Sequence, residues 1–268
     1  MRLRELRRDA RLTGRQLAER YGWDPSKISK IENGRQTPSE DNLEDWARAC
    51  GKPELAPELI AALRTLETHY VQWRRMFRAG MTAFQLNFGE MEAEAAAIRN
   101  FENVLISGLL QTPEYARYRL AEGVDRSGAH DLDEAVAARM QRQQVLYRRD
   151  KKFHFVLTEA ALRYRVCPPD VMAGQLDRLV TLSGMPTLRF GVIPFEVEYP
   201  VGPLHGFWIF DDRAVMVENF TASLNVTQPG EVASYLKIFD QLAEIAHYGS
   251  QARAIVTRAL DDLTASMA

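Results

Sequence analysis

The stretch "DPSKISKIENGRQTP", Asp24–Pro38, decides how the amino-terminal part of the chain folds. Asp24 can accept hydrogen bonds from the free amides of a first helical turn, and Pro25 suits the first helical position because it has no amide hydrogen. Gly34 can take the left-handed conformation that stops a helix. Fewer than three turns lie between these signals, with Ile28 and Ile31 three apart on the inner face. Ser26, Lys27, Ser29 and Lys30 must then point outward or sideways. A helix this short has little reason to exist as an isolated support, so its outer face is where function is sought.

Helical periodicity extends on both sides. Leu3, Leu6 and Ala10 mark a first helix over residues 3–11. Thr13 caps a second, "GRQLAERY", with Leu17, Ala18 and Tyr21 inward, and Gly22 supplies the turn into the short helix. A fourth, "EDNLEDWARACG", follows Ser39 and ends at Gly51. Then "APELIAALRTLETHYVQWRRMF", residues 56–77, spaces Leu59, Leu63, Leu66, Tyr70 and Trp73 as one long fifth helix that serves as a connector. Domain boundaries are expected at 1–78 and 79–268.

Charge divides the chain in the same way. Residues 1–35 hold ten Arg or Lys and five Asp or Glu, a net +5, which leaves −7 for the rest of a chain of net −2. A basic head on an acidic body is expected where one end meets a polyanion. The two cysteines, Cys50 and Cys167, are too few for a disulfide framework. The start "MRLRELRRDAR" is a charged helix and not a signal peptide, and no apolar run is long enough to span a bilayer, so a reduced, cytoplasmic protein with no membrane contact is expected.

Two small helices joined through Gly22, with Ala18 where they cross, form a helix-turn-helix pattern. Residues 2–52, and "ENGRQTPS" above all, resemble the Cro/C1-type (XRE) family of DNA-binding heads. The resemblance implies a lambda-repressor-like five-helix domain that binds double-stranded DNA as a homodimer on a palindrome. It implies that Ser26, Lys27 and Lys30 face base edges. It also implies that Thr13, Gly14 and Arg15, with Asn33 and Arg35, meet the DNA backbone. Pro25 stands where many relatives carry a polar base reader. Glu32 is expected to find a partner within the head, because phosphate repels a carboxylate, and Arg2, Arg4, Arg7 and Arg8 are expected on a solvated helix face.

Beyond residue 90 the pattern becomes α+β, a mixed domain of about four strands flanked by helices. Helices are expected over "EMEAEAAAIRNF", "GLLQTPEYARYRLAEG", residues 131–149, "PDVMAGQLDRLVTLSG", 229–248 and 251–266. Period-two stretches "KFHFVLTEAAL", "TLRFGVIPF", "GFWIFDD" and "AVMVENF" read as strands. No two glycines lie two apart, so the dinucleotide fingerprint is absent, and the nearest histidines, His130 and His154, are 24 residues apart. Neither a catalytic role nor a cofactor is expected.

"GLLQTPEYAR", "LTEAAL", "QLDRL", "LRFGVIPF" and "MVENF" occur in the order seen in a domain of uncharacterised function, DUF5753, common behind XRE heads in actinobacteria. Head and body together resemble WhiJ-like, antitoxin-type regulators, many encoded beside a small partner protein. Ser107 before Gly108, and Val166-Cys167, depart from the pattern of those relatives. The resemblance implies that the body receives a signal, from a protein or from a small molecule. Phe195, Tyr199, His205, Phe207 and Trp208 could line an aromatic pocket, or alternate members of 207–210 could form the core face of a strand. A body that only dimerises the head is a further alternative.

Overall fold

The computed structural model describes residues 2–33, 36–60, 63, 70–72, 80–122, 131–220 and 222–267. They form two compact units, Met1–His69 and Tyr70–Ala268.

The first unit holds α1 (Arg2–Asp9), α2 (Gly14–Arg20), α3 (Pro25–Glu32) and α4 (Glu40–Ala49), then a 3-10 turn at Pro53–Leu55 that runs into helix at 56–60. Its core is Leu6, Leu17, Ala18, Ile28, Ile31, Leu43, Trp46 and Ala47. Trp46 is fully buried, and its Nε1 donates to the Leu3 carbonyl at 3.1 Å, which ties α4 to α1. A buried indole N–H needs such an acceptor. Capping boxes at Thr13 and Ser39 start α2 and α4, where each hydroxyl satisfies an amide that the first turn cannot.

The second unit is a sheet covered on both faces. Its strands are β1 (Tyr70–Gln72), β2 (Ala97–Glu102), β3 (Lys152–Thr158), β4 (Leu188–Ile193), β5 (Phe207–Phe210), β6 (Ala214–Glu218), β7 (Ala222–Val226) and β8 (His247–Tyr248). The order is β1-β7-β6-β5-β2-β3-β4-β8. β2, β3 and β4 run parallel, and the other pairings are antiparallel. The helices are α5 (Met81–Glu94), α6 (Pro113–Ala121), α7 (Leu132–Arg142), α8 (Glu159–Arg163), α9 (Pro169–Leu182), α10 (Pro229–Glu244) and α11 (Gly249–Ala265).

Side-chain alternation sorts the two faces. Ile98, Phe153, Phe155, Phe190, Trp208 and Phe210 point to one, against Phe84 and Phe88 of α5, Leu176 and Leu179 of α9 and Ile255 of α11. Phe101, Val156, Ile193, Phe207, Ile209 and Val215 point to the other, against Val232, Phe239 and Leu242 of α10. The result is a three-layer α+β unit.

Three local expectations are corrected. The connector helix over 56–77 does not include Tyr70–Gln72, which pair as strand with Ala222–Leu224; Trp73 lies outside the described residues. Cross-strand pairing overrides the helical spacing there, because Tyr and Val suit a strand equally well. The helix over "EMEAEAAAIRNF" stops at Glu94, and Ala97–Glu102 become β2 at the centre of the sheet. The sheet therefore has eight strands among the described residues instead of about four.

Candidate nucleic-acid interface

α3 is held at both ends. The Asp24 carboxylate accepts the Ser26 amide at 2.7 Å. Hydrogen bonds from the Ser26 side chain and backbone hold the carboxyl below its ordinary value. At the other end Asn33 Nδ2 donates to the Ser29 carbonyl at 2.8 Å, and Asn33 Oδ1 accepts from Arg4 Nη2 at 2.6 Å. Ile28 and Ile31 are 2% and 6% exposed, so the inner face is fixed by burial. Ser26, Ser29 and Lys30 are exposed.

The turn before α3 has the geometry the sequence asks for. Gly22 has φ +64, which a residue with a Cβ adopts only at a cost. Ala18 is fully buried where α2 passes α3, and a Cβ on Gly14 would sit 3.4 Å from Ile28 Cγ2, in ordinary contact.

Glu32 anchors α3 to α1. Its carboxylate accepts from Arg7 Nε at 2.6 Å, Arg7 Nη2 at 2.9 Å and Arg4 Nε at 3.1 Å. Burial alone would raise its pKa, but the hydrogen bonds and charges of Arg7 and Arg4 outweigh that and hold it below the ordinary value. The expected partner within the head is therefore found. The solvated face expected for Arg4 and Arg7 is corrected, since both are bound to Glu32. Arg8 is exposed as expected, and no side-chain position is described for Arg2.

The residues expected at bases and backbone divide accordingly. Ser26 and Lys30 are exposed on the outer face, with the Ser26 hydroxyl engaged by the Asp24 carboxylate. Lys27 is half-buried, with Nζ 4.4 Å from the centroid of the Trp23 ring, a cation–π contact that the sequence reading missed. A Lys four residues after a Trp at a helix start is the signal that could have found it. Thr13 Oγ1 accepts the Gln16 amide at 3.2 Å and Gly14 is the first residue of α2. Arg15 Nε donates to Glu19 at 2.9 Å, with both side chains largely in solvent. Asn33 is occupied by its cap, and Gly34 and Arg35 lie outside the described residues.

The five aromatic positions expected around a pocket do not come together. Phe207 packs on the α10 side, 5.1 Å from Tyr235 and 6.4 Å from Phe239 by ring centroid. Trp208 packs on the opposite face, 5.4 Å from Phe88. Adjacent strand residues face opposite ways, so the strand-core alternative holds for these two. His205 joins Phe207 and Tyr235, Tyr199 packs on the same core, and Phe195 is 58% exposed.

Residues 85–258 match the family described as Domain of unknown function (DUF5753). The chain belongs to the DUF5753 family. In this DUF5753 protein, residues 1–63 also match the family described as Helix-turn-helix domain, which covers α1–α4 and the turn at Gly22. No curated protein matches the chain. Among solved structures the DUF5753 protein is similar to TrmBL2, an archaeal chromatin protein described as showing a novel mode of DNA binding. That similarity has 14% identity and a TM-score of 0.33, and covers 89% of this chain and 88% of the other. Among the described residues no helix is long and apolar enough to cross a membrane.

Proposed function

We propose that this protein is a transcriptional regulator that binds a palindromic operator as a homodimer, and whose C-terminal unit receives a protein or small-molecule signal. The observation that carries the reading is α3 itself. It is a short helix pinned at both ends, with an apolar inner face and an outer face of Ser26, Ser29 and Lys30, set behind a glycine turn in a basic head. One such helix makes too few contacts for useful specificity, so two copies on an inverted repeat are expected.

Ser26 and Lys30 are assigned to base edges, and Arg15 and Arg35 to phosphates. Lys27 would have to leave the Trp23 ring to reach a base. Thr13, Gly14 and Asn33 shape the ends of α2 and α3, with any phosphate contact coming from their exposed edges. Genomic DNA captured by purified full-length protein should yield an inverted repeat with half-site centres about 34 Å apart. Protein that stays monomeric both free and on DNA, or that enriches no symmetric sequence, refutes the reading.

The second reading, a main role in binding a small protein encoded nearby, would need a broad apolar patch, of which Leu204 and Phe220 are candidate members. Leu204 is 87% exposed and Phe220 is 94% exposed. In either reading the protein acts in the cytoplasm and turns over no substrate. Burial, with Asp170 and Glu122, pushes the Cys167 thiol up to about 11, the opposite of an activated nucleophile.

A further inference from the structure

Lys27 stands apart from the other polar residues of α3. Successive helix residues turn by about 100°, so Lys27 falls on a flank, between the exposed face at Ser26 and Lys30 and the buried face at Ile28 and Ile31. Its Nζ lies 4.4 Å from the centroid of the Trp23 ring. Among the described residues its side chain forms no hydrogen bond or ion pair. The lysine charge that acts on the Asp24 carboxylate is that of Lys30.

The ring beside Lys27 is fixed by the turn that joins α2 to α3. The Trp23 amide donates to the Ala18 carbonyl at 2.9 Å, across the left-handed Gly22. Tyr21 N–H donates to the same carbonyl at 3.2 Å, and the two bonds close the end of α2. The ring stacks on Tyr21, 5.3 Å between centroids, and tilts against the fully buried Trp46 at 6.3 Å. The turn itself therefore places an indole face beside the first turn of α3.

A cation in the first turn of a helix works against the fold. The amide end carries partial positive charge, so a lysine there is disfavoured unless something offsets it. The Trp23 face attracts the ammonium without neutralising it. What remains is a positive group presented at a fixed place on the helix flank. In a major groove the outer face of a helix meets base edges, and its flanks meet the sugar-phosphate walls.

We propose that Trp23 is a positioning residue for DNA binding: its ring holds the Lys27 ammonium against a phosphate at the groove wall, so that Lys27 seats α3 and reads no base. The proposal rests on the DNA-binding reading and moves Lys27 from the base edges, where the sequence puts it, to the backbone.

Titration of the full-length protein against its captured operator and against random duplex, over a range of salt, tests it. Lys27→Ala should weaken both DNAs by the same factor, about two- to fivefold per protomer, and lower the salt slope by roughly one per protomer. Trp23→Leu frees the ammonium and should reproduce part of that loss on both DNAs. Trp23→Phe keeps an aromatic face and should retain most of the wild-type affinity. In the Lys27→Ala background neither Trp23 change should have a further effect, because the ring acts through the lysine. If Trp23→Leu unfolds the head, Trp23→Phe takes its place in the cycle, with a smaller loss that must still vanish beside Lys27→Ala. A Lys27→Ala variant that alters preference at one base position overturns the phosphate contact, and losses that add in the double variants overturn the part given to Trp23. Wild-type protein that binds neither DNA removes the DNA-binding reading and this proposal together. Wild-type binding with an unchanged salt slope in Lys27→Ala removes this proposal alone.

Discussion

Glu32→Ala should loosen the head more than any other change of a single surface-lying charge. Glu32 is 6% exposed at its side chain, Arg7 13% and Arg4 35%. A solvent-exposed pair contributes about 0–1 kcal/mol, whereas removing one partner of a buried pair costs about 3–5 kcal/mol. The two-pronged Arg7 contact lies near the buried limit and the Arg4 contact near the exposed one. A loss of about 2–4 kcal/mol follows, because the variant leaves the largely buried Arg7 without its carboxylate and with only the Leu12 carbonyl to accept from it. With tenfold in population per 1.4 kcal/mol, hydrogen exchange of α1 and α3 amides that open with the head should speed up roughly 30- to 700-fold in the full-length protein. Glu32→Gln isolates the charge. The native carboxyl is held below the ordinary 4.5, so its stabilisation is fully present above that pH and is lost as pH falls through the lowered native value. In the Gln variant that part of the acid slope should disappear. A Glu32→Ala loss under about 0.5 kcal/mol, or an unchanged acid slope in Glu32→Gln, would refute the clamp.

Lys30→Ala should cost about 1–3 kcal/mol on the operator and relax one base position per half-site, read by binding to a library of mutated sites. Arg35→Ala should instead weaken operator and random DNA about equally and reduce the salt slope by roughly one per protomer; the reverse pattern would misplace α3 in the groove. In the second unit, His154 accepts or donates at 2.9 Å to the Tyr248 hydroxyl and stands edge-on to Phe239 at 4.9 Å. Burial, then Arg189 and Arg99, push its pKa down to about 4 from 6.5. Its neutral form is the folded form, so stability is complete above 6.5 and falls as pH drops from there toward 4, by about 1–2 kcal/mol after discounting for partial exposure. Urea unfolding followed at pH 7 and pH 5 should show that loss in the wild type and a flatter response in His154→Gln.

The head was legible because its signals are local. Thr13, Asp24 and Ser39 each cap a helix within three residues of themselves, and Gly22 needs only its own φ. Glu32 could be assigned inward from charge alone, but its partners could not. Arg4 and Arg7 lie 28 and 25 residues away, and a face of arginines reads the same whether solvated or paired. The restraint on Lys27 depends on how Trp23 stacks on Tyr21, 5.3 Å between ring centroids, which spacing does not specify. Tyr70–Gln72 failed for a different reason. Three residues of strand have no period of their own, and only their pairing with β7 distinguishes them from the helix they appear to continue.

A polar row of the second unit was hidden by the same separation of scales. Glu102 falls at the end of a stretch whose Ala and Glu content favours helix, and Glu218 closes a strand where a terminal carboxylate reads as an ordinary solvated end. Only the strand order puts β5 between them, and Gly206 on β5 leaves room that the Glu102 carboxyl fills. The neighbouring row shows what the alternative looks like. Trp208 and Met216 occupy the equivalent positions there and close the face with apolar packing against Phe88 and Phe155. A sheet built for stability alone would continue that packing by one more row. The orphan amide oxygen of Asn100 and the orphan hydroxyl of Ser223 beside that row cost free energy that no hydrogen bond among the described residues returns.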